Sequence, residues 1–70
     1  MDLNELLNKR IHVTLTDGRT VRGSLHCIDF QCNLILHDAQ VEHEHAATAQ
    51  LLTSAMVNGK TITRIEIDSK

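Results

Sequence analysis

Gly18-Arg19-Thr20-Val21-Arg22-Gly23-Ser24-Leu25, running on through Asp29 to Asn33-Leu34-Ile35-Leu36, decides the fold of this chain. Ahead of it, Ile11, Val13 and Leu15 alternate with polar residues, the period of a half-buried strand. Asp17-Gly18 is a turn dipeptide that lets the chain reverse after that run. Gly23 sits inside the next strand, where a missing side chain lets a strongly curved sheet close on itself. Asp29 and Asn33 bracket a second reversal, since short polar side chains bond the local backbone at such a bend. The stretch reads as two long paired strands with polar residues set at the bend between them.

Outward from this pair, strands are expected over residues 10–16, 19–29, 32–42, 51–57 and 61–67. Val21, Leu25 and Cys27 should share one face with Gly23, and Arg22, Ser24 and His26 the other. Leu34 and Leu36 point inward, whereas the continuation His37-Asp38-Ala39-Gln40-Val41-Glu42 turns polar and is expected in solvent. Asn58-Gly59 is the strongest short turn signal, because both residues tolerate positive φ. Residues 2–9 read as a short helix with Leu3, Leu6 and Leu7 on one face, Asp2 as N-cap and Glu5 three residues on. Its leucines either cover an open end of the barrel or dock a partner. Residues 42–50 lack a period and suit a variable loop. The fold class is all-β with a short N-terminal helix: one domain over 1–70, a five-stranded, strongly bent antiparallel barrel whose last two strands are its edges.

Seventy residues bury a core worth roughly 3–5 kcal/mol, so a staple or a partner is expected. Cys27 and Cys32 are too few for a disulfide framework and read as small apolar core residues in a reducing compartment. Neither a leader in Met1–Asn8 nor a membrane-spanning run is apparent, so the expected location is cytoplasmic. Seven Lys and Arg stand against nine acids, a formal net charge of −2, and Phe30 is the one aromatic residue. Both facts weigh against nucleic acid, which rewards basic faces and stacking rings.

Catalysis finds no support: there is no phosphate-cradling loop, nucleophile elbow or metalloprotease motif. His26 and Cys27 are strand neighbours, which point to opposite faces. His43-x-His45, with Glu42 and Glu44, has the i, i+2 spacing of a metal pair but lies in a solvated loop. No catalytic residue, cofactor or metal is expected.

Gly23, Leu25, Asp29, Asn33 and Leu34, with Leu36 continuing the register, resemble the first signature of the Sm and Sm-like (LSm) family. Met56-Val57-Asn58-Gly59 followed by Ile62, Ile65 and Ile67 occupies the place of its second signature, usually a hydrophobic-Arg-Gly run. The likeness covers about Leu3 to Asp68 and implies the small barrel. It also implies a site in which a base stacks between an aromatic side chain and the Arg, while the Asn bonds its edge and the Asp steadies the loop. Carried over, Asp29, Asn33 and Gly59 match, but Gln31 stands at the stacking position and Asn58 at the Arg position. Stacking is worth roughly 1–3 kcal/mol per base, so an RNA site built from these residues reads as vacated.

Within the family, the chain is similar to the small LSm-domain auxiliary subunits of NatC N-terminal acetyltransferases. Short tails, the Asp29–Leu36 segment and Ala55-Met56-Val57-Asn58-Gly59 carry that likeness. It implies a non-catalytic assembly module, held with an acetyltransferase catalytic subunit and a large auxiliary subunit in a hetero-oligomer acting co-translationally near the ribosome. The expected partner-binding residues are Leu3, Leu6 and Leu7 of the helix, Ala55, Met56 and Val57 of the fourth strand, and Ile62, Ile65 and Ile67 of the fifth. The alternatives are a divergent LSm ring subunit binding RNA in mRNA decay or splicing, and a stand-alone homo-oligomeric scaffold.

Overall fold

The computed structural model describes residues 3–44 and 48–68. A four-residue 3-10 turn, Leu3–Leu6, precedes strands β1 (Arg10–Leu15), β2 (Arg19–Ile28), β3 (Leu34–His43), β4 (Gln50–Val57) and β5 (Ile62–Ile67). They form one antiparallel sheet in the order β4-β3-β2-β1-β5, so β4 and β5 are its edges. β1 alternates half-buried and buried along its length, as its sequence period dictates. Ile11, Val13, Leu25, Leu34 and Leu36 are the largest fully buried side chains, and the concave face of the sheet wraps around them.

The sheet bends where its two long strands lose register. Arg22 faces Gln40 and Ser24 faces His37, so β3 carries one more residue than β2 at that point. Asp38 takes up the surplus with φ +52°, the left-handed region that Asn and Asp enter most readily. Gly23 lies opposite the bulge. A Cβ there would meet the His37 carbonyl at 3.0 Å and the Ala39 Cα at 3.2 Å, so the close approach requires glycine. At the β1–β2 turn, Gly18 has φ +91° and its N–H reaches the Leu15 carbonyl at 3.2 Å.

Several expectations are corrected. The N-terminal helix over 2–9 is only the turn Leu3–Leu6. Leu6 drops into the core at 2 % exposure, and Asn8 ends the segment at φ +69°. There the Asn8 N–H donates to the Leu25 carbonyl at 2.8 Å, and the Leu25 N–H donates to the Lys9 carbonyl at 2.9 Å. Pairing with β2 outcompetes a second helical turn, which so short a helix could not sustain alone. The Asp2 cap lies outside the described residues.

Cys27 and Cys32 are exposed, not core. A second shift of register, between Leu25 and Cys27, leaves His26 and Cys27 both facing out, and Cys32 sits in the bend at φ +63°. The polar continuation of β3 stays in the sheet, and Ala39 and Val41 from it are buried. Asn58-Gly59 forms no positive-φ turn. Asn58, at φ −72°, caps a 3-10 turn, Gly59–Thr61. The β3–β4 connection spans 44–49, and its residues 45–47 lie outside the described residues.

Candidate functional site

Asp29 organises the β2–β3 bend. Its Oδ1 accepts from the backbone N–H of Gln31 at 2.8 Å and of Asn33 at 2.9 Å, and its Oδ2 accepts from the Asn33 side-chain amide at 3.1 Å. The Asn33 backbone bond, with smaller help from the Asn33 amide and the Gln31 N–H, holds the carboxyl below its ordinary value, against an opposing desolvation.

Asn33 then reaches across the molecule. Its Oδ1 accepts the Gly59 N–H at 2.8 Å, joining the β2–β3 bend to the β4–β5 turn across 26 residues of sequence. A Cβ on Gly59 would lie 2.6 Å from the Cys32 carbonyl oxygen and 2.7 Å from that of Gln31. Only glycine lets these two segments meet. Asn58 is committed as well, its Oδ1 accepting the Lys60 N–H at 3.0 Å.

The five residues expected at the vacated RNA site are therefore brought together, and the bonds of Asp29, Asn33 and Asn58 hold the fold. Among the described residues, Asn33 keeps one amide hydrogen and one lone pair without a partner. Gln31 is exposed and has no ring, and no guanidinium stands at position 58. Phe30 is 94 % exposed one residue before the stacking position, an exposure that its place in a run of mixed residues did not reveal.

The nine expected partner-binding residues divide. Leu6 and Val57 are buried in the core, the latter facing Leu34 across β3–β4. Leu3, Leu7, Ala55, Ile62 and Ile65 are half-buried against the core. Met56 at 75 % and Ile67 at 54 % are open to solvent. Leu51, at 76 %, joins Met56 on β4 and was missed. Leu51-Leu52 reads as one apolar pair, yet Leu52 faces Ala39 inward while Leu51 opposes Gln40 outside. Between β4 and the turn at Gly59–Thr61 lies an open cleft of about 410 Å³, lined by Leu15, Val41, Met56 and Thr61 among others.

Among the described residues, no three of His, Cys, Asp and Glu gather as a metal site. His43 is exposed at the end of β3, and His45 lies outside the described residues. No described helix is long and apolar enough to cross a membrane.

The LSM domain family profile matches residues 1–67. A relative from Mus musculus, N-alpha-acetyltransferase 38, NatC auxiliary subunit, is 40 % identical over 93 % of this chain and 56 % of its own length. Its Danio rerio counterpart is 34 % identical over 97 % of this chain and 67 % of its own length. The chain thus spans between about half and two thirds of the length of these relatives. Among solved structures, a chain of the NatC complex bound to CoA superposes with a TM-score of 0.82 at 25 % identity, covering 99 % of this chain and 87 % of that one. A Pyrococcus abyssii Sm protein in complex with a uridine heptamer gives 0.83 at 23 % identity, over 94 % of this chain and 92 % of that one, a likeness of fold alone.

Proposed function

The chain belongs to the LSM domain family, and from that premise we propose that it is a non-catalytic auxiliary subunit of a NatC-type N-terminal acetyltransferase complex. One observation carries the reading: relatives named NatC auxiliary subunit match nearly the whole chain at 34–40 % identity. The geometry agrees, because Gln31 and Asn58 stand where stacking partners would be needed and the neighbouring polar side chains brace the fold.

In this reading the barrel works by being held. Its partners are the acetyltransferase catalytic subunit and a large auxiliary subunit, and the complex acts in the cytoplasm on nascent chains near the ribosome. The contact surface comprises the free edges of β4 and β5 with Leu51, Met56 and Ile67, together with the half-buried Leu3 and Leu7. An exposed sheet edge recruits another chain through its unpaired N–H and C=O groups, and the apolar side chains beside it select which chain. Catalysis belongs to the partner.

Native affinity purification of the tagged chain, followed by mass spectrometry, tests the proposal. Recovery of an acetyltransferase and one large companion in near-equal amounts is the expected result. Recovery of other small Sm-like proteins with RNA would replace this reading with that of an RNA-binding ring subunit. Asn33, with its remaining amide hydrogen, would then be the residue whose loss lowers RNA affinity.

A further inference from the structure

Asn58-Gly59 is the kind of dipeptide in which an asparagine cyclises most readily, because the glycine nitrogen has no side chain beside it to block attack. The reaction closes a five-membered ring between that nitrogen and the carbon of the side-chain amide. It needs the Gly59 nitrogen nearly eclipsed with the Asn58 Cβ about the Cα–C bond. An L residue reaches that arrangement only at strongly negative ψ, and Asn58 stands at ψ 123°. The peptide plane that would have to turn is pinned at both ends. Its carbonyl accepts the Thr61 N–H at 3.0 Å and the Thr61 hydroxyl at 2.7 Å, and its N–H donates to the Asn33 Oδ1 at 2.8 Å. The side-chain amide is held as well, since the Asn58 Oδ1 accepts the Lys60 N–H at 3.0 Å. Turning the plane toward the ring-closing geometry breaks its three bonds together.

We infer that Asn58-Gly59 is a deamidation site that the native β4–β5 turn keeps closed and that loss of the turn opens. The inference stands on the turn alone and holds whatever partner the barrel meets. Once the turn is open, the Gly59 nitrogen gives up its proton to solvent base and bonds to the Asn58 Cγ. The side-chain nitrogen leaves as ammonia, taking up the proton that Gly59 lost. Water then adds to one carbonyl of the imide and opens it, giving aspartate at position 58 or, with the main chain rerouted through Cβ and Cγ, isoaspartate. The two products differ in the folded barrel. Aspartate keeps an oxygen for the Lys60 N–H at the start of the 3-10 turn. Isoaspartate adds a carbon to the backbone just before Gly59, where one extra atom already comes within 2.6 Å of the Cys32 carbonyl oxygen. A chain carrying it cannot rebuild the clasp between Asn33 and Gly59, so an opening that lasts long enough becomes permanent.

Incubation of the purified full chain at mildly alkaline pH, in native buffer and in guanidinium chloride, tests the site. Deamidation at residue 58 is read from the mass of the proteolytic peptide, with isoaspartate separated by chromatography. The native chain should deamidate more slowly than the denatured one by about tenfold or more, because reaction must wait for the turn to open. Asn33→Ala should react several-fold faster than the parent in native buffer yet at the parent's rate in guanidinium chloride, since it loosens the clasp and leaves the dipeptide untouched. On dilution from denaturant, isoaspartyl chains should be missing from the folded fraction, whereas Asn58→Asp, with the new charge and no added carbon, should enter it. Equal rates for the parent in the two solvents overturn the proposal, as does an Asn33→Ala chain no faster than the parent in native buffer. Isoaspartyl chains that refold as fully as Asn58→Asp overturn it too.

Discussion

Asn33 loses two bonds at once when it is truncated, one at each end of its amide. Asn33→Ala leaves the Gly59 N–H without its acceptor and takes one donor from Asp29, so it should lower stability by about 1–3 kcal/mol in chemical denaturation. Gly59→Ala should cost a similar amount, roughly 1–3 kcal/mol by the same measurement. The added Cβ meets two backbone carbonyls that have no rotamer with which to escape. Asp29 contributes a pH signature. Its folded-state pKa lies below 3.8, so the stability it adds is complete above that ordinary value and is lost as pH falls through the lower, folded one. Asp29→Asn, which has no proton to take up there, should flatten that acid limb in a denaturation series run from about pH 5 to pH 2.

At the scale of elements, burial separates residues that sequence spacing grouped together. Leu6 and Met56 both appear on apolar faces meant for a partner, yet one is 2 % and the other 75 % exposed. Leu6→Ala should therefore destabilise the chain itself by about 2–5 kcal/mol. Met56→Lys should stay within about 0.5 kcal/mol of the parent in unfolding while reducing recovery of the partner proteins from cells. Full partner recovery with Met56→Lys would remove the outer face of β4 from the contact surface. The strands were legible because alternation is a local signal, and Ile11, Val13 and Leu15 obey it without interruption. Cys27 was misplaced because a bulge changes the side-chain period without any marker in the residues around it. The helix was overextended because its capping pattern serves a single turn as well as a full one, and bonds from Leu25 decided the matter. At the candidate site, the Asp29–Asn33 spacing was readable within one bend, whereas nothing local says which distant turn Asn33 will hold.

For the molecule as a whole, a core built around Ile11, Val13, Leu25, Leu34 and Leu36 leaves little margin. The isolated chain should melt at a lower temperature than the same chain within the proposed complex, because partners that bind only the folded barrel would stabilise it by mass action. Scanning calorimetry of the free chain and of the purified complex measures the difference, and equal melting temperatures would detach this chain's stability from its partners. The sheet order has one more consequence. β1 lies between β2 and β5, and Ile11 faces Ile67 while the Asp68 N–H bonds the Arg10 carbonyl at 3.0 Å. During translation, β2 can cover one side of β1 almost at once, but the other side stays bare until residues 62–67 have been made. At about 5–20 residues per second that delay is on the order of seconds, during which a half-built sheet shows β1 with one edge unpaired. The newborn barrel is then open to mispairing and to capture by chaperones, so conditions that slow elongation late in the message should lower its yield of soluble protein more than conditions that slow it early.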